Sequence, residues 1–370
     1  MKIAIVTDWL TVFGGAEHAI VEMHHEWPHA PLFTSVANTS RLGPLSHADI
    51  RTTRLQKLYT LVRHHQVLLP FLPRAIEELD LREFDVIVSS SHAVGKGLIP
   101  PSRAVHVCYC HTPMRYAWEM EENYLADFGV PKFLRGHAKK LLKKIRRWDL
   151  STAKRVDQFI ANSHETARRI KEIYGRESTV ILPPVSDEFL QAPLIGREGR
   201  RGFLAVGRFV PYKRFDLLIE TANKLQLPLT IVGQGQEEAR LRRLGGPTIT
   251  FRGFVATSEL PRLYGSSTAL LFPQVEDAGI VPLEAMASGT PVIALGQGGA
   301  RDYVIDGKTG MFFPEQTVES LAQTLQRFDP NHFEPRALRV HAEQFSSGEF
   351  RRKVKEVVEE AYVKRIGKIE

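Results

Sequence analysis

Two glutamates, Glu276 and Glu284, stand eight positions apart in "VEDAGIVPLEAMASGTPVIA" (275–294). Pro282 suits the first turn of a helix, where its missing N–H is not needed. Gly289 suits the stop. A helix through "PLEAMAS" leaves the amides of Gly279, Ile280 and Val281 without helical acceptors. Those amides and the helix dipole make an anion site, and Gly279 lets a ligand come close to the backbone. Glu276 is expected before this helix and Glu284 about half a turn inside it. A carboxylate accepts two hydroxyl protons well. The pair therefore suits the two ends of a phosphate-containing ligand that carries hydroxyl-rich groups such as a hexose and a ribose. The plainer alternative is a Glu284 that only complements the helix dipole, beside a solvated Glu276.

A second cluster lies upstream in "GRFVPYKRFDLLI". Arg208 and Lys213, five positions apart, follow the apolar run "GFLAVG". Two cations at the carboxyl end of a strand suit a diphosphate; alone they would be an ordinary basic loop. When a glycosyl group leaves a nucleoside diphosphate, charge builds on the β-phosphate, and Arg, Lys and helix-end amides stabilise it as it develops. Many enzymes use a metal on an Asp-x-Asp motif for this. No two aspartates here stand two positions apart, which fits a cation pair in place of a metal, and no metal is expected.

The elements that must carry these residues alternate. "KIAIVTDW", "FDVIVSSS", "AVHVCYCHT" and "QFIANS" read as strands in the first half, and "GFLAVGRF", "PLTIVG", "TITFRGF", "STALLFP", "TPVIAL" and "GMFFP" in the second. "RFDLLIETANKL" and "EEARLRRL" have helical spacing between them. Val- and Ile-rich strands separated by helices predict parallel sheets covered on both faces. The expected organisation is a first α/β domain over 1–185, a Pro- and Gly-rich linker over 186–200 and a second α/β domain over 201–347. A charged helix over 348–370 is expected to pack back on the first domain. Two doubly wound domains facing a cleft would place functional residues just after strands.

The 370 residues, 43% hydrophobic and 25% charged, are those of an ordinary globular protein of about two domains. The opening "MKIAIVTDWL" reads as a buried strand, not a signal peptide. No apolar run approaches the roughly 18 residues that span a bilayer. Cys108 and Cys110 are read as buried thiols of a reducing compartment, so a cytoplasmic location is expected. The net charge of +7 is uneven: 132–155 holds ten Lys or Arg and one acid, Asp149. One local patch is not the broad basic field with aromatic platforms of a nucleic-acid binder.

These residues resemble glycosyltransferase family 4, retaining enzymes of the GT-B fold with two Rossmann-like domains. The resemblance rests on "EDAGIVPLE", "AMASGTPVIALGQGGARDYVIDGKTG", "GRFVPYKRFDLLI", "FIANS" and "VILPPVSDEF", and it covers nearly the whole chain. It implies that Glu276 holds donor-sugar hydroxyls and Glu284 the ribose. Arg208, Lys213 and the amides of Ile280 and Val281 would hold the diphosphate. Phe254 and Val255 would line the base pocket, mainly through backbone. Gly14 and Gly15 in "DWLTVFGGAEH" would lie near the phosphates and the acceptor. His111, ending the strand "AVHVCYC", would contact the donor sugar; a strand-end histidine is otherwise a hydrogen-bonded structural residue. "HTPMRYAWE" and "EDAGI" look most like bacterial mannosyltransferases of O-antigen (lipopolysaccharide) and exopolysaccharide assembly, which use GDP-mannose. Ala278 stands where Phe is commonest, which loosens the wall beside the sugar. The family also implies a same-face displacement in which the leaving phosphate takes the acceptor's proton.

"IVGQGQEEA" lacks the third glycine of a dinucleotide fingerprint, so Gly233 and Gly235 read as a turn near the nucleotide. In the basic segment, Leu134, Ala138, Leu141, Ile145 and Trp148 recur on one helical face. Lys139, Lys140, Lys143, Lys144, Arg146 and Arg147 surround that face. This helix would be either a solvated basic face or one resting on anionic lipid at the inner membrane face, near a lipid-linked or glycan acceptor. "LYTLVRHHQVLLPFLP" (58–73) offers apolar side chains for the same surface. Rival readings are a membrane- or polyanion-binding module without turnover and a GT-B sugar-nucleotide epimerase.

Overall fold

The computed structural model describes residues 1–118 and 135–367. The strands are β1 (Ile3–Thr7), β2 (Leu32–Thr34), β3 (Ile50–Thr52), β4 (Val86–Ser91), β5 (Val105–Cys110), β6 (Gln158–Ala161) and β7 (Ser178–Val180), then β8 (Phe203–Val206), β9 (Leu229–Val232), β10 (Ile249–Gly253), β11 (Ala269–Phe272), β12 (Val292–Leu295) and β13 (Gly310–Phe313). The first seven form one parallel sheet in the order β3-β2-β1-β4-β5-β6-β7. The other six form a second in the order β10-β9-β8-β11-β12-β13. Both are doubly wound: the order reverses between β1 and β4 in the first sheet and between β8 and β11 in the second. The chain divides accordingly into two units, Met1–Leu182 with Phe350–Glu370, and Pro183–Glu349.

Alternate residues of each strand serve opposite faces of its sheet. In the first unit Ile5, Val88, Val107 and Ile160 join one core, while Ala4, Val6 and Ile87 join another. In the second unit Ala205, Ile231, Leu271 and Ile293 pack on one face, and Leu204, Leu270, Val292 and Ala294 are buried on the other. Burial on both faces is what continuous apolar strands require. β2, β3 and β7, which the sequence pattern did not reveal, have three residues each. That is too short for alternation to register.

The stretch 186–200, expected as a linker, folds with the second unit. Asp187–Gln191 is helical, Phe189 is buried against Tyr264 at 6.0 Å, and Arg200 donates to the Ile195 carbonyl. Two of its cations thus have partners in the second unit, Arg200 at Ile195 and Arg197 at Glu334, and do not mark a solvated tether. The C-terminal helix Ser347–Ile366 sends Phe350, Val354 and Val358 into the first unit's core. Those residues, four apart, lie on one helical face.

The basic segment forms a helix, Arg135–Thr152, whose buried residues are Leu142, Ile145, Asp149 and Thr152. Of the expected face, Ile145 is buried and Leu141 and Trp148 pack against the same core; what the sequence did not anticipate is that the lone acid points inward. Asp149 pairs with the buried Lys96 at 2.8 Å and accepts from Trp118 Nε1 at 2.8 Å and the Tyr174 hydroxyl at 2.9 Å. Arg146 also turns inward, donating to the Ala117 carbonyl and lying over the Trp118 ring. Lys140, Lys143, Lys144 and Arg147 are exposed. Leu134 and Lys132 lie outside the described residues. Among the described residues no helix is long and apolar enough to cross a membrane.

Candidate functional site

In the second unit the chain leaves β8 through Gly207 and Arg208 and makes a short turn, Pro211–Lys213, before the helix Phe215–Leu225. Lys213 is buried, and its Nζ contacts Glu276 Oε1. Glu276 arrives on the loop after β11, so the contact spans the point where the strand order reverses, the place where open α/β sheets hold ligands. Burial and the nearby Arg208 guanidinium push the Lys213 ammonium down to about 7. The Glu276 carboxylate in contact with it favours the charged ammonium. Arg208 itself is exposed and makes no ion pair among the described residues, so its donors face solvent. Behind these groups Arg214 donates to Gln316 Oε1 at 2.9 Å, and Gln316 Nε2 donates to the Pro273 carbonyl at 2.8 Å. That chain ties the β8 loop to the β11 loop.

The glutamate loop is shaped by close backbone approaches. Gly279 sits at φ +73°, and a Cβ there would stand 2.7 Å from Glu276 Oε2. The Gly299 amide donates to the Glu276 carbonyl at 2.8 Å. Ile280 then caps the helix Val281–Ala287, with Pro282 in its first turn. Glu284 Oε2 accepts from the Tyr264 hydroxyl at 2.8 Å. Burial raises Glu284 to about 7, against the lowering effect of that hydrogen bond. Gly233 packs against the β8 loop so tightly that a Cβ would lie 1.9 Å from the Gly207 carbonyl oxygen, so its glycine is demanded by the loop packing. Val255 is half-buried, whereas the Phe254 side chain is 77% exposed at the end of β10.

In the first unit Gly14 caps the helix Gly15–Glu26, and its amide donates to Glu17 Oε2 at 2.9 Å. No atom stands within 4 Å of a Cβ placed on Gly15, so space is open there. His111 follows β5; its Nε2 lies 2.8 Å from Ser90 Oγ. Burial and the charge of His92 lower its pKa to about 3, so it is neutral, a hydrogen-bonding group and not a cation.

Two groups at this edge escaped the sequence reading. Asp8, directly after β1, is buried and accepts from Ser91 Oγ at 3.0 Å and the amides of His92, Ala93 and Gly95 at 2.7, 3.2 and 2.5 Å. His92, directly after β4, places Nδ1 2.9 Å from Asp8 Oδ2. The available signal was the position of both residues immediately after apolar strands. Tyr264, which holds Glu284, gave no such signal.

Two family models match the chain in succession: Glycosyltransferase Family 4 over residues 13–189 and Glycosyl transferases group 1 over residues 187–342. Among curated proteins, the GDP-mannose-dependent alpha-(1-6)-phosphatidylinositol monomannoside mannosyltransferase of Mycobacterium tuberculosis is 31% identical over 192 residues, 44% of this chain and 50% of that protein. A GDP-mannose-dependent alpha-mannosyltransferase of Mycolicibacterium smegmatis is 32% identical over 174 residues, 44% of this chain and 46% of that protein. The chain thus spans about half the length of the curated relatives it matches. Among solved structures, Anabaena HepE in complex with UDP has a TM-score of 0.70 at 18% identity, covering 97% of this chain and 100% of that one. Sucrose-phosphate synthase of Thermosynechococcus elongatus has a TM-score of 0.73 at 17% identity, covering 98% and 100%. These two likenesses establish the two-domain GT-B fold.

Proposed function

The chain belongs to glycosyltransferase family 4, and from that premise we propose that it is a retaining, metal-independent glycosyltransferase. Its proposed donor is GDP-mannose and its acceptor a lipid-linked or glycan hydroxyl. The observation that carries this reading is the meeting of Lys213 with Glu276 at the strand switch of the second unit, with Glu284 on the helix that follows.

Each group has a step to perform. Lys213, Arg208 and the amides opening the helix at Ile280 and Val281 take the diphosphate oxygens and stabilise charge as the glycosyl bond breaks. Glu276 turns from Lys213 to the sugar hydroxyls when those oxygens arrive. Glu284 accepts the ribose hydroxyls, and Phe254 and Val255 border the base. Neutral His111 donates to, or accepts from, a sugar hydroxyl. The β-phosphate oxygen, held by the cations, takes the acceptor's proton as the new bond forms on the face the leaving group vacates.

GDP-mannose is favoured because the mannosyltransferase relatives are described as dependent on it, whereas HepE was crystallised with UDP. The exposed lysines and Arg147 of the basic helix favour peripheral attachment to an anionic cytoplasmic leaflet, where a lipid-linked acceptor resides.

A thermal-shift screen with GDP, UDP and ADP, run with and without EDTA, tests the donor and the absence of a metal requirement. A nucleotide that binds only the folded protein raises its midpoint. A shift with UDP and none with GDP overturns the mannose assignment. Mannose transfer from GDP-mannose that Glu276→Ala abolishes, with vesicle binding intact, separates a transferase from a non-catalytic membrane module. Sugar-nucleotide isomerisation without acceptor identifies an epimerase.

A further inference from the structure

Asp8 and His92 occupy in the first sheet the place that Lys213 and Glu276 occupy in the second. One follows β1, the other β4, and the strand order reverses between them. Holding the loop 91–95 accounts for the Ser91 hydroxyl and the three amides that Asp8 binds. It does not require the fifth donor, the His92 imidazole. That ring is 32% exposed while its partner carboxylate is fully buried. Nδ1 is spent on Asp8, and Nε2 has no protein partner among the described residues, so its N–H faces solvent at the carboxyl edge of the sheet.

The surroundings define what Nε2 would meet. The Trp9 ring stands edge-on to His92 at 4.8 Å, with His65 stacked on it at 4.6 Å. The His111 ring lies 6.3 Å away. Glu17 on the helix Gly15–Glu26 adds its field to that of Asp8. Burial opposes the charged imidazole, but Asp8 and Glu17 outweigh it and raise its pKa, while His65 and His111 are held neutral. Asp8 therefore cancels the charge of His92, and no surplus positive charge remains to hold a phosphate. A strong N–H donor beside a half-buried indole suits a sugar, whose hydroxyl accepts and whose C–H face rests on the ring.

We propose that His92 is a substrate-contacting residue that donates from Nε2 to a sugar hydroxyl, and that Asp8 is its positioning residue. This rests on the transferase reading above, and its test is kept separable from it. Saturation-transfer NMR with methyl α-mannoside, in the presence of saturating GDP, reads the sugar contact directly, while the GDP thermal shift reads the second unit in parallel. Wild type gives a saturation-transfer signal, and His92→Ala loses it with an unchanged GDP shift, although its midpoint falls as the buried Asp8 loses a donor. His92→Gln, which keeps a donor near Nε2, retains it in part. In turnover, losing a charge-assisted hydrogen bond lowers kcat/KM about ten- to hundredfold. Asp8→Asn moves the His92 imidazole titration, followed by its ring C–H resonances, to lower pH and weakens the methyl α-mannoside signal while the GDP shift stays intact, a loss that a purely structural role would not produce. A normal sugar signal in His92→Ala, or none in wild type while GDP binds, overturns the proposal and leaves the nucleotide site standing. A missing GDP shift with the sugar signal present does the reverse.

Discussion

The Lys213 ammonium rests on the Glu276 carboxylate, so one proposed sugar ligand occupies a proposed diphosphate ligand. The two assignments compete, and the competition can be measured. Glu276→Gln removes the counter-charge while keeping the shape. It is expected to tighten GDP binding about three- to tenfold by calorimetry and to abolish most transfer. Weaker GDP binding in that variant would mean that Lys213 does not serve the diphosphate.

Arg208 offers a cleaner separation of fold from function. Its side chain is exposed and makes no ion pair among the described residues. Arg208→Ala should therefore change stability by less than about 0.5 kcal/mol. If Arg208 takes a diphosphate oxygen, GDP binding weakens about ten- to hundredfold. Equal GDP affinity in the variant and wild type removes it from the site.

Glu284 makes the nucleotide site pH-dependent. Its folded pKa of about 7 lies above its ordinary value of 4.5, so the folded protein holds a proton that the unfolded chain has released. The stabilisation is complete below about 4.5 and is lost as pH rises to about 7. It amounts to on the order of 1–3 kcal/mol. Ribose binding needs the ionised form, which accepts both hydroxyls, so GDP affinity should rise across the same window while intrinsic stability falls. Glu284→Gln should flatten both profiles; an unchanged affinity profile would place the ribose elsewhere.

What could be read in the sequence follows from where information is local. Val- and Ile-rich runs ending in polar residues marked ten strands, and position after a strand marked Arg208, Lys213, Glu276 and His111. Contacts between distant segments were not legible. Asp8 and the His92 amide it binds are 84 positions apart, and no local pattern pairs them. Asp149 misled for the same reason: it counts as one acid among ten cations until Lys96, 53 positions upstream, neutralises it inside the core. The linker failed because Pro, Gly and charge mark a solvated tether only when their partners are absent, and Arg197 has one in Glu334.

That buried pair carries its own prediction. Lys96 and Asp149 have side chains 3% and 0% exposed. Asp149→Leu leaves an ammonium stranded in the core, at a cost of about 3–5 kcal/mol. Differential scanning calorimetry should find the first unit's midpoint lowered by roughly 10 °C. Adding Lys96→Met removes the stranded charge and should restore much of the loss. A single variant as stable as wild type would mean that the pair does not anchor the basic helix.

Turning Asp149 inward leaves Lys140, Lys143, Lys144 and Arg147 exposed on the outer face of the helix, with no acidic partner among the described residues. In the same unit Leu61, Val67 and Phe71 are 82%, 61% and 56% exposed, supplying apolar side chains as well. Near an anionic bilayer each basic residue contributes about 1 kcal/mol, so replacing Lys143, Lys144 and Arg147 by serine should weaken binding to phosphatidylserine vesicles about a hundredfold. Wild-type binding should fall steeply between low and high salt, because the attraction is screened within a Debye length. Leu61→Ser should lower affinity without changing the salt slope, since it removes insertion and not charge. Sedimentation of the three proteins with vesicles at both salt concentrations distinguishes the terms. If wild type stays in the supernatant at low salt, the basic helix is a solvated face and the acceptor must reach the enzyme without a membrane.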